Sequence, residues 1–481
     1  MNVTIIAIVI LYMLLMLAIG FYSSKKINSN TDFMVAGRRL GPLLMAGTLA
    51  ATEIGGGSSL GVVANSYGSW GASSAWYIIA MGIAFIILIP LAPKFRASEV
   101  KTVPEYFRRR YDKFSGGFSG IIMLMALIGL TAGQFKASAS ILEVMLGIDY
   151  TTSLIIVTVV ITVYAVMGGL WSVTLTDFIQ VFLIVIGMTI AIPFALKLAG
   201  GWTTVRQTVP ADHFSLTKGI GGWGQIAGYV IMYVATFSVG QEAVSRYYAA
   251  RDGKAAIQGS ILAAIVNFVF AFIPVILGLC MLSLFNQGRL DASVIDALKT
   301  NTRYALPALA VVSMPAVVTG ILFAGIISAT MSSADSDLLG AGSIFSNDIY
   351  RVFLRKEATD KEVMLVTKIT MVLVALFSLV TALYANNILT LLAFSFTLRA
   401  AGTFIPYVMG HFWKKSSSAG CISSVLLGST VFFLMDKHLI PSIPKVNNII
   451  PALAISLILF VVFSLLFPPK EERTSLVPEK E

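Results

Sequence analysis

The stretch that most constrains what this chain can fold into is residues 47–68, GTLAATEIGGGSSLGVVANSYG, within an apolar segment long enough to cross a bilayer. It carries Glu53 and then three consecutive glycines, Gly55 to Gly57. Each glycine costs a helix about 1 kcal/mol relative to alanine, so this run predicts a helix that is interrupted at membrane depth. Lipid cannot satisfy the backbone carbonyls that an interruption frees, so they must face protein, water or a bound cation. Interrupted helices commonly form the ion and substrate sites of secondary transporters, whereas the alternative is a glycine-rich packing face beside a snorkelling carboxylate.

Composition places the rest of the chain in a lipid bilayer. Of its 481 residues, 57% are hydrophobic and only 12% are charged, and apolar runs of about 20 residues recur from end to end. The first run has no basic residue before it and no convincing cleavage site, which favours a retained helix over a signal peptide. Cys280 and Cys421 lie in or beside apolar segments and imply no disulfide framework. We predict thirteen membrane helices, near residues 3–23, 41–68, 73–93, 116–147, 151–168, 171–198, 222–249, 255–286, 306–342, 363–385, 386–413, 417–435 and 448–467.

The distribution of basic residues predicts the orientation in the membrane. The net charge of +10 would suggest a nucleic-acid partner for a soluble protein, but here most basic residues lie in short loops. With the N-terminus outside, 24 basic residues face the cytoplasm: Lys25, Lys26, Arg38, Arg39, Lys94, Arg96, Lys101, Arg108, Arg109, Arg110, Lys113, Arg246, Arg251, Lys254, Arg351, Arg355, Lys356, Lys361, Lys368, Lys414, Lys415, Lys470, Arg473 and Lys480. Eight face the other side: Lys197, Arg206, Lys218, Arg289, Lys299, Arg303, Lys437 and Lys445. This bias predicts a multi-pass protein of the cytoplasmic membrane with its N-terminus outside and its C-terminus inside, and no nucleic-acid partner.

A second interruption is predicted within residues 222–249, where Ser238 and Gly240 mark a weak point. Five helices begin near residue 41 and five more near residue 222, and each set opens with an interrupted helix. Internal symmetry of that kind indicates an inverted repeat around a central site. The predicted organisation is an extra helix and cytoplasmic loop at 1–40, a first repeat at 41–200, a second repeat at 201–413, two further helices at 414–467 and a cytoplasmic tail at 468–481.

Ionisable residues inside predicted membrane helices are functional candidates because they are costly there. The set comprises Glu53, Lys136, Asp177, Glu242, Asp335, Asp337 and Arg399. Within residues 328–337, SATMSSADSD, Ser332 and Ser336 lie one helical turn apart with Asp335 beside them. Hydroxyl and carboxylate oxygens, together with carbonyls freed near Ala51 and Ile54, suit a hard cation such as Na⁺. The alternative is that the serines only allow helices to pack closely.

Longer motifs identify a family. One consists of Gly147–Tyr150, the apolar run Leu154–Val160 and the segment Tyr164–Ser172. On these residues, and over essentially its whole length, the chain resembles the sodium/solute symporter family, which includes transporters of proline, pantothenate, sugars, sialic acid and choline. The features most similar to the high-affinity choline transporter branch are the triple glycine, Ser172–Gln180, Met331–Ser336 and Ala358–Glu362.

The resemblance implies both a fold and a coupling ion. The fold is an all-α polytopic LeuT-type 5+5 inverted repeat, with one helix before the repeats and two after them, and the ion is Na⁺. The family's main sodium site uses carbonyls of the first and eighth core helices and two adjacent hydroxyls, which correspond to Ala51, Ile54, Ala329, Ser332 and Ser333. A second site of some members, for sodium or here a proton, corresponds to Ser332, Asp177, Asp335 and Ser336. One or two sodium ions per cycle are both open.

The predicted substrate site departs from the choline branch. Its candidate residues are Glu53, Gly55, Lys136, Gln241, Trp76, Tyr233 and Phe237. Choline recognition needs aromatic faces around a quaternary ammonium, and here an acid, a base and an amide stand where that branch has tryptophans. Such a site favours a zwitterionic or polyol-like solute, although Glu53 and Lys136 could instead pair with each other. Trp76 and Tyr77 could still supply one or two aromatic faces.

Together these features predict a sodium-coupled secondary symporter that imports a small polar organic solute by alternating access. The alternatives are proton coupling through Glu53, Asp177 or Asp335, a monocarboxylate or organic-cation substrate, and a transporter-like sensor or channel. An enzyme is disfavoured because the three histidines lie in loops or at a helix end, without an acid–base or metal cluster. The sequence also has no phosphate-binding loop for ATP-driven transport, and it leaves the oligomeric state undetermined.

Overall fold

The computed structural model describes residues 2–24, 36–472 and 476, and within those ranges its regular structure is helical, with a single isolated bridge between Leu40 and Ala250. The helices predicted to cross the membrane are α1 Val3–Ser24, α2a Pro42–Glu53, α2b Val62–Tyr67, α3 Trp76–Ile87, α4 Lys113–Leu146, α5 Tyr150–Met167, α6 Thr176–Ala199, α7a Trp223–Val239, α7b Gln241–Ala249, α8 Gly253–Asn286, α9 Ala316–Leu354, α10 Asp360–Tyr384, α11 Ile388–Phe412, α12 Ser418–Asp436 and α13 Ile449–Leu466. Four basic residues of the predicted charge bias, Lys25, Lys26, Arg473 and Lys480, lie outside the described residues, as does most of the predicted tail.

The prediction of an all-α membrane protein is confirmed. In the described part of the chain, nine helices are long and apolar enough on their own to cross a bilayer. The remaining spans are the apolar helices α1 and α3 and the two interrupted helices α2 and α7. Large apolar side chains on α10, such as Phe377 at 61% exposure, face outward as expected for a lipid-facing surface.

Local sequence signals fix where many of these helices begin and end. Asp112, Asp149 and Asp252 each precede a helix, and the side chain of each accepts a hydrogen bond from the backbone N–H three residues on. The bonds from Thr152 hold the pKa of the exposed Asp149 carboxyl below its usual range. Gly147 ends α4 in the left-handed conformation (φ 67°), which costs glycine no steric strain.

Helices α5 and α6 are separate spans although the backbone between them stays helical. The Tyr164 hydroxyl lies 2.8 Å from Thr176 Oγ1. Twelve residues of straight helix would separate the two positions by about 18 Å, so the chain must bend sharply between them. The segment that bends contains the Gly168–Gly169 pair of the family-like motif, and adjacent small residues of this kind are common at helix kinks.

The peripheral helix α1 is tied to this pair of helices by a polar contact. Gln180 Nε2, on α6, donates a hydrogen bond of 3.0 Å to the Tyr12 hydroxyl of α1. Both side chains are buried. Helix α1 also packs against the central helix α9, so it belongs to the bundle although it precedes the repeats.

The triple glycine interrupts α2 as predicted. Regular helix ends at Glu53, and a π-helical turn at Gly57–Gly61 leads into α2b. A β-carbon on Gly55 would lie 2.5 Å from Ser333 Oγ, on Gly56 2.3 Å from Ala137 Cβ, and on Gly57 2.7 Å from the Tyr77 hydroxyl. The glycines therefore also let α9, α4 and α3 approach the interruption closely. This run is both a helix interruption and a glycine-rich packing face.

The second predicted interruption lies at Gly240, which is extended (φ −68°, ψ 117°) and separates α7a from α7b. The half-helix α7b packs against α2a and α9. The central helix α9 packs against α4, α6 and α2a, and its side chains are buried from Leu322 to Ile344. Both interruptions therefore meet one buried helix.

Gly56→Ala is expected to destabilise the protein, because its new methyl group would overlap Ala137 on a packed helix. Overpacking of this kind typically costs about 1–3 kcal/mol. Gly41→Ala is the matched control, since a β-carbon added at that position, at the start of α2a, would have no heavy atom within 4 Å. Thermal unfolding of both variants in detergent should show a lower transition temperature for Gly56→Ala alone. Equal transition temperatures would contradict the packing of α2 against α4.

Candidate ion and substrate site

The end of α2a presents backbone oxygens toward α9. Ser333 Oγ on α9 donates a hydrogen bond of 2.8 Å to the Thr52 carbonyl, and Ser58 Oγ donates one of 2.7 Å to the Glu53 carbonyl. No described residue donates a hydrogen bond to the carbonyls of Ala51 or Ile54. Both residues are buried, so these two oxygens are ready acceptors for a cation.

The five residues predicted for the main sodium site fall on the facing parts of α2a and α9. Besides its bond to α2a, Ser333 Oγ donates to the Ala329 carbonyl over 3.2 Å. Ser332 is oriented differently, because its hydroxyl donates a short hydrogen bond to Asp177 on α6. The structure thus brings Ser333 and Ala329 to the interrupted helix and joins Ser332 to the neighbouring carboxylate.

Gln134 is a site residue that sequence reasoning missed. Its Oε1 accepts a hydrogen bond of 2.8 Å from the Gly56 amide, so the side chain of α4 replaces a partner that the broken helix lacks. Gln134 is buried at 7% exposure. The sequence does show this residue as a polar side chain in the middle of a long apolar helix. Glutamine carries no charge, however, so it is not among the ionisable residues considered as candidates.

The second predicted cation site contains an arginine. Arg246, on α7b, donates from Nη2 to Ser336 Oγ over 2.6 Å and lies 3.4 Å from Asp177 Oδ2. The prediction that Arg246 belongs to a cytoplasmic loop is therefore wrong: α7 continues past the interruption and turns this side chain, 1% exposed, into the bundle. Thr48 donates a further short hydrogen bond to Asp177.

Asp335 lies next to this arrangement and is fully buried. Its Oδ1 accepts a long hydrogen bond of 3.4 Å from Ser336, and its Oδ2 has no partner among the described residues. Asp177, by contrast, accepts bonds from Thr48, Ser332 and Arg246. Of the two carboxylates of the predicted second site, only Asp335 retains a free buried oxygen.

The predicted substrate residues divide into two groups. Glu53 is 6% exposed, and its Oε1 has no hydrogen-bonding partner in the described part of the chain. A β-carbon on Gly57 of the same interruption would lie 2.7 Å from the Tyr77 hydroxyl. The Tyr77 ring centroid is 5.6 Å from that of Tyr233, and the Phe237 ring centroid is 5.2 Å from that of Tyr233. Gly55 is part of the same interruption, so these residues form one neighbourhood.

The other three predicted substrate residues face elsewhere. Lys136 Nζ lies 3.3 Å from the Tyr150 hydroxyl at the start of α5, and it forms no ion pair with Glu53. The Gln241 amide is occupied by the backbone of residues 101 and 103. Trp76 donates from Nε1 to the Leu216 carbonyl in a surface loop. The hypothesis of a Glu53–Lys136 pair does not hold in this structure.

A buried ion pair lies directly at the α7 interruption. Arg399 on α11 donates to both carboxylate oxygens of Glu242, one over 2.7 Å, and its Nε donates to Thr236 Oγ1 over 2.7 Å. A β-carbon on Gly240 would lie 2.6 Å from Arg399 Nη2 and 2.6 Å from Glu242 Oε1. The ion pair occupies the space beside Gly240 between the half-helices, and only glycine at that position leaves this space free.

Two interrupted helices that meet a third helix through unsatisfied carbonyls, hydroxyls and buried carboxylates are the architecture of a secondary transporter. The sequence profile of the sodium:solute symporter family matches residues 33–428. The chain belongs to this family of sodium-coupled transporters.

Known proteins show similarity over nearly the full chain. The osmoregulated proline transporter OpuE of Bacillus subtilis is 24% identical over 97% of this chain and 95% of its own length. The sodium/pantothenate symporter of Haemophilus influenzae is 26% identical over 99% of both. A solved Na⁺-coupled sialic acid symporter, in a substrate-bound outward-open state, superposes with a TM-score of 0.82 at 22% identity, covering 98% of this chain and 99% of its own. This likeness confirms the predicted LeuT-type fold.

Arg399→Met is expected to destabilise the protein strongly, because it leaves the Glu242 carboxylate buried without a counter-charge. Breaking one side of a buried pair costs about 3–5 kcal/mol, whereas replacing both partners by apolar residues is often neutral. The double variant Glu242→Met/Arg399→Met should therefore recover much of the unfolding temperature. If the double variant loses as much as the sum of the two single variants, the ion pair is not the source of the effect.

Proposed function

We propose that this sodium-coupled symporter imports a small polar organic solute, zwitterionic or polyol-like, by alternating access around the interrupted helices α2 and α7. The observation that carries the ion site is the pair of carbonyls of the buried residues Ala51 and Ile54, which accept no hydrogen bond from a described residue although the neighbouring Thr52 carbonyl contacts Ser333 of α9. Na⁺ prefers oxygen ligands of this type. The proposed ligands are Ala51, Ile54, Ala329, Ser332 and Ser333.

A second cation position is proposed at Asp177, Asp335 and Ser336. The Arg246 guanidinium supplies one positive charge there through its contacts with Asp177 and Ser336. Two carboxylates and one guanidinium carry a net charge of −1, which one further monovalent cation would neutralise. The free oxygen of Asp335 would be its first ligand. A sodium ion in this position would give a stoichiometry of two.

The proposed mechanism follows from linkage between the two ligands. Sodium bound between α2 and α9 orders the interrupted helix for the solute, and the solute must then raise the affinity for sodium by the same factor. Each sodium ion that enters down the membrane potential releases about 2.3 kcal/mol per 100 mV. The repeats, proposed at 41–200 and 201–413, rock around the site and expose it to each side in turn.

The proposed substrate neighbourhood is Glu53, Gly55, Tyr233 and Phe237, because these residues share the α2 interruption and its aromatic wall. Lys136, Gln241 and Trp76 are omitted because their polar groups have other partners. Two relatives of this chain are named for proline and pantothenate, which supports a small polar solute rather than choline. The resemblance to the choline branch remains a prediction from the motifs.

The proposed orientation places the N-terminus outside and the C-terminus in the cytoplasm. It rests on the roughly three-to-one distribution of loop lysines and arginines, from which the buried Arg246 has to be removed. The short loops favour the cytoplasmic membrane of a bacterium.

Proton coupling is a second candidate, favoured by the buried Asp335 oxygen that has no partner among the described residues. A panel of amino acids, betaines, sugars and carboxylates separates the two possibilities by thermal stability, with each ligand measured in sodium and in potassium at fixed ionic strength. A ligand that stabilises only in sodium supports sodium symport, because ligands stabilise the state that binds them. Equal stabilisation in both salts contradicts it, and uptake driven by pH without sodium favours the proton.

Ser333→Ala is expected to raise the sodium concentration for half-maximal uptake about tenfold or more. The removed hydroxyl contacts α2a, and a polar bond to a charged group contributes about 1.5–3 kcal/mol. Ser343→Ala is the matched control, since Ser343 is a buried serine further along α9. Uptake by reconstituted vesicles at graded sodium concentrations measures both. An unchanged sodium requirement in Ser333→Ala would count against this ion site.

A further inference from the structure

The buried groups at the two interruptions carry more negative than positive charge. Five carboxylates and two guanidinium groups are buried on α2a, α6, α7b, α9 and α11, the helices around the interruptions: Glu53, Asp177, Glu242, Asp335, Asp337, Arg246 and Arg399. All seven side chains are at most 6% exposed. If every carboxylate is ionised, three negative charges lack a partner. An uncompensated buried charge is costly, so each excess carboxylate either holds a proton or is offset by positive charge that enters with a ligand.

Sodium at the proposed sites accounts for part of this excess. One ion between α2 and α9 and one beside Asp335 would still leave one negative charge. That charge falls among Glu53, Glu242 and Asp337, of which only Glu242 forms an ion pair in the described part of the chain. Arg399 is committed to Glu242 through both carboxylate oxygens, so it does not neutralise the other two acids.

Of these three acids, Glu53 is the one that lies at the interruption of α2. Its Oε1 is buried without a partner among the described residues, and it lies at the last helical residue of α2a, in the proposed substrate neighbourhood. The rings of Tyr77, Tyr233 and Phe237 form the adjacent wall. A free carboxylate oxygen beside aromatic rings suits a positively charged nitrogen, which is attracted by both the carboxylate and the ring faces.

The same neighbourhood is poorly suited to the competing ligands. A monocarboxylate would need a free cation, yet Arg399 and Arg246 are paired and Lys136 reaches Tyr150 instead. A second sodium ion would need several oxygen ligands, whereas this wall is made largely of ring carbon. A neutral polyol would leave the carboxylate uncompensated.

We infer that the transported solute carries a positively charged nitrogen, protonated or quaternary, which Glu53 binds against the rings of Tyr77 and Tyr233. The inference rests on the proposed symport function and narrows its substrate class to amines, amino acids and ammonium compounds. It also explains why a lone carboxylate lies at the interruption of α2 without a basic partner in the described part of the chain.

Matched ligand pairs test this on the purified full-length protein in sodium. Proline is compared with tetrahydrofuran-2-carboxylate, glycine betaine with 3,3-dimethylbutyrate, and choline with 3,3-dimethylbutanol. The twenty amino acids, pantothenate and myo-inositol complete the panel. Each pair keeps shape nearly constant and removes the positive nitrogen. We expect at least one ammonium ligand to raise the unfolding temperature, and its isostere without the positive nitrogen to bind about tenfold more weakly or worse.

Glu53→Gln tests the assigned residue. It keeps the side-chain size and removes a buried charge, so the unliganded variant should be as stable as the parent or more so. It should lose the preference for the ammonium ligand over its isostere while sodium alone still stabilises it. Glu143→Gln is the control, because that carboxylate binds Arg303 and Tyr304 away from these three acids. An undiminished preference in Glu53→Gln would overturn the assignment.

The outcomes separate this inference from the proposed function. If pantothenate, a polyol or another ligand without a positive nitrogen stabilises the protein in sodium but not in potassium, symport stands and the ammonium inference falls. If no ammonium ligand in the panel stabilises the protein, the inference is also overturned. Ligand effects that are identical in sodium and potassium contradict the proposed function itself.

Discussion

The centre of this protein depends on the rule that a backbone carbonyl inside a membrane must have a partner. Where α2 ends at Glu53, the backbone groups that the interruption frees have three kinds of partner. Side-chain hydroxyls donate hydrogen bonds to the Thr52 and Glu53 carbonyls, the Gln134 side-chain oxygen accepts one from the Gly56 N–H, and a cation is the partner that we propose for the Ala51 and Ile54 carbonyls. The glycines make this possible, since any β-carbon there would push away the helices that bring these partners. The interruption is stable only as part of the whole bundle.

Much of this was predictable from sequence because it depends on local properties. Hydropathy and glycine content locate the spans and both interruptions, and the serines of α9 carry the oxygen chemistry. The partners of long side chains were not predictable, because they depend on how helices rotate and pack. Arg246 follows a helix break at the edge of an apolar run and therefore resembles a loop residue, and Lys136 of α4 contacts Tyr150 at the start of α5. Gln134 is uncharged, so a search for ionisable residues in apolar segments does not find it.

The buried charged residues fall into two groups: those paired within the protein and those with an unpartnered oxygen. Glu242 with Arg399, and Asp177 with Arg246, are satisfied within the protein and connect α7b to α11 and α6. Glu53 and Asp335 keep a free oxygen each among the described residues. If every buried charge were paired within the protein, no charged group would remain to bind an ion or a charged solute. If none were paired, the bundle would not fold. The unpartnered oxygens of Glu53 and Asp335 are therefore the positions at which we propose that ligands bind.

The contact between Tyr12 and Gln180 has a consequence for how the parts can move. Gln180 lies three residues after Asp177 on α6, so the anchoring point of α1 is less than one helical turn from a carboxylate of the ion site. Any displacement of α6 during the transport cycle must either carry α1 with it or break a buried hydrogen bond. The Tyr12–Gln180 hydrogen bond thus couples the position of α1 to that of α6.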